Sequence, residues 1–308
     1  MTARFAAPTS LVQALELLAS DPDARPVAGG TDLVVASRQG RRPLPESIVA
    51  IDRIVELADA GPDDSGDLVL GALTSHAWLA ASDQVRNRWT ALADASAIVG
   101  SPATRSTGTL GGNLMNASPA AETTAPLVVF GAAATLRAAD GAARSIAVAE
   151  LATGPGRTLA EPGELLTQVR VPRPDAGSGS AYIRLEYRRA MEIAVVGAAV
   201  LVTLDGAGSA STISAASVAL TAVAPTVVAA PAAAAALTGS TGDRAAARAA
   251  GAAAAAGSSP IDDVRASADY RRAMIEVVVA RTVAAAVARA RGEQVPVPAS
   301  RWAHGRDV

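Results

Sequence analysis

Cysteine is absent from this chain of 308 residues. No disulfide framework, thiolate zinc site or thiolate-held iron-sulfur cluster can therefore be built within it. Lysine is absent too, since all 27 basic residues are arginine, and this excludes a P-loop lysine and a Schiff base. Histidine occurs only at His76 and His304, too few for a histidine-rich metal site or a Ser-His-Asp triad, and both read as surface residues. Aromatic residues make up only 3% of a chain that is 50% apolar, so the core must be built from small aliphatic side chains. Charge of one sign is not in excess: 27 basic and 29 acidic residues are interspersed, leaving no basic stripe for a polyanion, and nucleic acid is not an expected partner. The uncharged stretch 206–242 is mainly Ala, Ser and Thr interrupted by Pro225 and Pro231, which reads as strands followed by a helix and not as a membrane span. The opening segment MTARFAAPTSLVQALELLAS carries charge within an amphipathic pattern and shows no apolar export core, so a cytoplasmic location is expected.

What is present is enough chain for two or three compact units. Ser10 and Gln13 stand as a capping box before Leu11, Val12, Leu15, Leu17 and Leu18, predicting an amphipathic first helix. In RPVAGGTDLVVASRQG a short strand runs into Gly29 and Gly30 and out through Thr31 and Asp32 into a second apolar segment. SIVAIDRI reads as a strand, as does LVLGA, after which Thr74 or Ser75 can cap a helix; residues 83–99 read as helical. A long loop rich in Gly, Ser, Thr and Asn follows Gly100 and leads into a helix and then a strand. PRPDAGSGS at 172–180 is the best linker, between the strand-like LLTQVRV and AYIRLEYRR. Beyond it, AVVGAAVLVTL and STISAASVALTAV predict antiparallel strands, and Ala-rich helices are expected over about 225–256 and 268–291.

The two glycine loops carry the chemistry. Without a Cβ the backbone can approach an anion closely, and successive N–H groups form a concavity for phosphate oxygens that needs no cationic side chain. Thr31, Ser106, Thr107, Thr109 and Asn113 add neutral donors suited to the phosphates and ribityl chain of a dinucleotide, while Asp32 can instead cap the following turn. Neither loop has the G-x-G-x-x-G pattern of a doubly wound dinucleotide fold; AGGTD alone is more often an ordinary turn, and TLGGN alone carries somewhat more weight.

Taken in order, AGGTDLVV, GALTSHAWL and TRSTGTLGGNLMNASPAAET resemble the flavin subunit of molybdenum hydroxylases, the family of the carbon monoxide dehydrogenase medium subunit and the xanthine dehydrogenase FAD-binding subunit. RLEYRRAMEIAVVGAA and DDVRASADYRR continue the resemblance across nearly the whole chain. It implies an α+β fold: a two-part FAD-binding domain of the vanillyl-alcohol-oxidase type over 1–175, with parts at about 1–57 and 58–175. A smaller C-terminal α+β domain with a three-stranded sheet and helices would cover 176–308. It also implies FAD as cofactor, with Ala28, Gly29, Gly30, Thr31, Asp32 and Leu33 in the first diphosphate loop and Thr109, Gly111, Gly112 and Asn113 in the second. Arg105 and Gly108 lead into that second loop, and Glu122, Leu166 and Arg184 complete the flavin-binding set.

No catalytic or metal-ligating residue is assigned to this chain. The resemblance implies partners: a large subunit holding the molybdenum cofactor, a small iron-sulfur subunit, and an external acceptor that is NAD, a quinone or oxygen. Three positions depart from the family pattern: Glu122 and Glu192 where Asp is usual, and Arg184 where many members have Lys. Arg cannot release its proton as Lys can. Glu122 reads equally as a helix N-terminal carboxylate, and Arg184, Arg188 and Arg189 as a solvated face or a subunit contact. Asp263, Arg265, Ser267, Tyr270 and Arg271 read as capping and packing residues. The alternatives are a stand-alone FAD-dependent oxidoreductase and a flavin-free assembly protein; absent cysteine, and no histidine beside Thr31, disfavour a covalently tethered flavin.

Overall fold

The computed structural model describes residues 4–188 and 190–303, so Arg189 and His304 lie outside the described residues. The chain opens with β1 (Arg4–Ala6), α1 (Leu11–Ser20), β2 (Ala24–Val27), α2 (Leu33–Arg38) and β3 (Ser47–Ala50). The strands form a parallel sheet in the order β1-β3-β2. Ser10 starts α1 by accepting the Gln13 N–H at 3.3 Å, and Ala14, Leu15 and Leu18 turn one face onto Val49, Ile51, Ile54 and Leu57. The apolar segment after the first glycine loop is the helix α2, with Val34 and Val35 exposed.

Next come β4 (Ala60–Pro62), β5 (Leu68–Gly71), α3 (His76–Ala81), α4 (Asp83–Arg88), α5 (Thr90–Ile98), α6 (Pro102–Thr107), α7 (Leu110–Met115) and α8 (Thr124–Val129). They are followed by β6 (Ala133–Arg137), β7 (Ala143–Ala147), α9 (Val148–Leu151), β8 (Ala152–Gly154), β9 (Arg157–Thr158) and β10 (Leu165–Val171). An antiparallel sheet has the order β4-β5-β10-β6-β7. Two expectations change here. The helical stretch 83–99 is two helices, because buried Trp89 leaves helical geometry and donates its indole N–H to the Pro172 carbonyl at 2.9 Å. The long loop after Gly100 is largely α6 and α7. Ser101 caps the first, with Pro102 in its first turn, and Thr109 caps the second by accepting the Gly112 N–H at 3.0 Å.

The remainder is β11 (Ser178–Leu185), β12 (Val196–Leu204), β13 (Ile213–Thr221), β14 (Val228–Ala229), α10 (Pro231–Leu237), α11 (Arg244–Ala256), α12 (Ala268–Ala290) and α13 (Ser300–Ala303). Its antiparallel sheet has four strands, not three, because the two-residue β14 joins β13 through Val228 opposite Leu220. The helices expected from 225 therefore begin only at Pro231. The segment read as a linker to 180 already becomes strand at Ser178. Gly179 serves packing there, since a Cβ on it would stand 2.3 Å from the Ala286 carbonyl oxygen of α12. One hydrophobic core runs from Leu68 and Leu70 through Leu92 and Ala95 to Tyr182, Ala199, Ala219 and Val227, so the last sheet is packed onto the preceding helices. Asp94, fully buried on α5, ties this junction by accepting the Tyr182 and Ala299 N–H groups and both terminal nitrogens of Arg289.

Candidate functional site

The first loop spans Ala28–Asp32, and Leu33 opens α2. Gly30 has φ +66°, a left-handed geometry that favours glycine, and its carbonyl accepts the Val34 N–H at 2.9 Å to start α2. Asp32 occupies the N-cap position but makes no side-chain cap, so the capping role weighed for it is not the one seen. Among the described residues, the successive N–H groups of Gly29, Gly30, Thr31 and Asp32, and the Thr31 hydroxyl, make no hydrogen bond within the protein. A run of unpaired amides on a turn is the concavity that binds anions.

The second loop lies directly against the first. A Cβ on Gly29 would stand 1.9 Å from the Thr107 carbonyl oxygen, and one on Gly108 would stand 3.5 Å from the Thr31 hydroxyl. Its own amides are already engaged: Leu110 donates to Thr74 at 2.9 Å, Gly111 to Ala72 at 2.9 Å, Gly112 to the Thr109 hydroxyl at 3.0 Å and Asn113 to the Thr109 carbonyl at 3.0 Å. Gly111 is required by close packing, since a Cβ there would meet the Ala72 carbonyl at 2.7 Å. The Ser106 and Thr107 hydroxyls, expected as donors, instead turn back onto the Pro102 and Ala103 carbonyls of α6 at 3.1 and 3.2 Å. The two glycine loops therefore differ: the first offers backbone donors, and the second is the wall that holds them in place. Arg105 lies on α6 with its guanidinium donating to the Val99 carbonyl at 2.9 Å. Leu166 is buried in the main core on β10, one residue before Thr167, whose carbonyl accepts the Ala72 N–H.

Beneath the loops lies His76, expected at the surface but only 2% exposed. It opens α3, its N–H donates to the Gly108 carbonyl at 3.2 Å, and Ser75 caps the helix by accepting the Trp78 N–H at 3.1 Å. Burial, aided by the nearby Arg105 charge, pulls its imidazole down to about 4, so the ring is neutral at ordinary pH.

From the second loop a run of polar contacts leads to β11. Asn113 accepts from the Thr123 hydroxyl at 2.8 Å, and the neighbouring Glu122 is buried, accepting from the Tyr182 hydroxyl and from Arg184. Burial pushes the Glu122 carboxyl upward while the Arg184 guanidinium draws it back down; burial and that carboxyl together raise the Tyr182 phenol well above its ordinary range. Tyr182 is thus a neutral donor. Arg184, read from sequence as solvated or at a subunit contact, is 3% exposed and also pairs with Glu186 and the Glu192 carbonyl. Arg188 is exposed on this chain and pairs with Glu192 at 3.0 Å. Glu122 precedes α8 but spends both oxygens on the β11 side chains, so it acts as a cross-link and not as a helix-end charge. His76 and Tyr182 are the residues that sequence reasoning did not assign. Only the rarity of histidine marked the first, and nothing in AYIRLEY distinguished Tyr182 from other strand residues.

Comparison with known proteins decides the family. A model described as the FAD binding domain in molybdopterin dehydrogenase matches residues 1–174, and one described as the CO dehydrogenase flavoprotein C-terminal domain matches 180–286. The chain belongs to the FAD-binding medium-subunit family of the molybdenum hydroxylases. The 6-hydroxypseudooxynicotine dehydrogenase complex subunit alpha of Paenarthrobacter nicotinovorans is 35% identical over 92% of this chain and 93% of its own. The carbon monoxide dehydrogenase medium chain of Hydrogenophaga pseudoflava is 33% identical over 92% and 97%. Among solved structures, the reconstituted CO dehydrogenase from Oligotropha carboxidovorans superimposes with a TM-score of 0.87 at 34% identity, covering 94% of this chain and 99% of that one. The protein is thus an FAD-binding electron-transfer subunit of an oxidoreductase, with the α+β fold of the vanillyl-alcohol-oxidase type. The residues present fit that cofactor, because a diphosphate needs closely approaching N–H donors and the first loop has four in succession. Among the described residues no helix is long and apolar enough to cross a membrane, and no cluster of His, Asp or Glu can hold a metal ion.

Proposed function

We propose that the Ala28–Asp32 loop holds the FAD diphosphate through its backbone, that Thr109, Gly111, Gly112 and Asn113 support it, and that the chain relays electrons within a molybdenum hydroxylase. The carrying observation is the row of N–H groups from Gly29 to Asp32 that are unpaired among the described residues, with Gly29 pressed against the Thr107 carbonyl with no room for a Cβ. Thr31 adds a hydroxyl; Arg105 adds positive charge near an anionic ligand. Asn113 is held by Thr123 next to the Glu122–Tyr182–Arg184 cross-link, so one polar chain ties the cofactor loops to β11. Arg184 and Glu122 belong to the flavin set by fixing its surroundings, and Leu33 and Leu166 by packing. When bound, the flavin supplies the redox chemistry; this chain supplies position and electrostatics.

The remaining parts of this reading rest on the relatives. A large subunit with the molybdenum cofactor and a small iron-sulfur subunit deliver electrons to this chain, which passes them to NAD, a quinone or oxygen in the cytoplasm. With no cysteine, clusters held by thiolates must come from another chain. The chain divides into an FAD-binding part, 1–175, of two subdomains meeting near residue 57, and a C-terminal part, 176–308. Affinity purification of the tagged chain from its own cells is the test. Iron, labile sulfide and molybdenum co-eluting with FAD, and flavin bleaching on substrate addition, are expected. FAD-loaded chain that elutes with no cluster-bearing partner contradicts the relay reading and favours a stand-alone flavin enzyme.

A further inference from the structure

His76 is 2% exposed, and among the described residues its Nδ1 is enclosed with no hydrogen-bond partner. Leaving a buried polar atom unpaired is costly, and such atoms concentrate where function requires them. The ring lies where the two loops meet. A Cβ placed on Gly108 would stand 3.3 Å from His76 Cδ2 and 3.5 Å from Thr31 Oγ1, so the Cδ2 edge, with the Nε2 bonded to it, borders the junction of both loops. A buried lone pair without a donor is tolerated more readily than a buried N–H without an acceptor, which places the proton on Nε2. Nε2 likewise makes no hydrogen bond within the described residues.

We infer that His76 is a cofactor-binding residue: its neutral imidazole directs an Nε2–H donor to the junction of the two loops, toward a phosphate oxygen or the Thr31 hydroxyl that contacts it. The inference rests on the reading of the first loop as the diphosphate site. A histidine in this position serves better than a cation. A neutral donor contributes direction without the desolvation cost of a buried charge, and Arg105 nearby both opposes protonation of the ring and favours an anion. It also explains why a polar ring is retained in a pocket where leucine would pack without an orphaned atom.

The test is a titration of FAD into the flavin-stripped chain, followed by flavin fluorescence, for wild type, His76→Leu, His76→Gln and Gly29→Ala, alongside the thermal midpoint of each flavin-free protein. The expected result is at least tenfold weaker FAD binding in His76→Leu with a flavin-free midpoint equal to or above wild type, and partial recovery in His76→Gln, which restores a donor. Unchanged FAD affinity in His76→Leu, with weakened binding in Gly29→Ala, overturns the role of His76 and leaves the loop reading standing. Affinity that falls only together with flavin-free stability, with no recovery in His76→Gln, makes His76 a packing residue and equally overturns it. If Gly29→Ala also binds FAD as wild type does, the reading of the loop itself fails.

Discussion

Replacing Asp94 by alanine removes the centre of the junction between α5, β11 and α12. Its carboxylate receives Arg289 at 2.6 and 2.9 Å and the Tyr182 and Ala299 N–H groups at 3.0 and 2.9 Å, while Arg289 also donates to the Ser180 carbonyl at 2.7 Å. Asp94 is fully buried and the Arg289 side chain is 7% exposed, so the variant leaves a cation and two amides without their acceptor in the interior. Breaking a buried pair from one side costs about 3–5 kcal/mol. Orphaned amides add to this, but water entering the vacated space relieves part of the total, so about 4 kcal/mol is expected. For a chain of this size that corresponds to a fall in thermal midpoint of roughly 6 °C. Calorimetry of Asp94→Ala, of Arg289→Met and of the double variant Asp94→Ala/Arg289→Met measures it. Removing both charges is expected to recover roughly half of the loss, because the buried cation disappears while the two amides stay unpaired. A loss below about 1 kcal/mol for Asp94→Ala, or costs that simply add in the double variant, would refute the reasoning.

The Tyr182→Phe variant removes the phenol hydrogen bond to Glu122, and a loss of about 2 kcal/mol in urea unfolding is expected, as for a hydrogen bond to a charged group. His76 titrates at about 4 when folded against 6.5 when exposed, so its neutral burial stabilises fully above pH 6.5 and that contribution is lost as pH falls toward 4. Over that window the flavin-free protein should lose roughly 3 kcal/mol more than His76→Leu does, measured by urea unfolding at successive pH values. Asp63, held down to about 2 mainly by the Ser65 hydroxyl and then by Arg170, stabilises above its ordinary value of 3.8 and ceases to as pH falls through 2. Carboxyl NMR titration should find this low value in the wild type and a higher one in Ser65→Ala.

Local chemistry made much of this molecule readable from its sequence. The Ser10 cap, the strand-like run LLTQVRV and the glycines of the first loop each act within a few residues, and each appears as an element or turn where expected. What was not readable depends on distant contacts. Trp89 breaks a helix because Pro172 takes its indole N–H, and Gly179 looks like linker glycine until the α12 backbone is placed against it. Ser106 and Thr107 have the right chemistry for a ligand, yet α6 forms and absorbs their hydroxyls. Arg184 has the sequence surroundings of a surface charge, and only the fold brings it to Glu122, 62 residues earlier. His76 was misplaced for the same reason: its burial comes from the second loop folding over it, not from its own helix.

Amide hydrogen exchange of the flavin-free and FAD-loaded chain tests the central claim most directly. Among the described residues the Gly29–Asp32 amides are unpaired, while Leu110, Gly111, Gly112 and Asn113 each have an acceptor. Fast exchange of the 28–33 segment without FAD and marked slowing with it, against a 110–113 segment already slow in both, is the result this account predicts. A 28–33 segment whose exchange is unchanged by saturating FAD would contradict it.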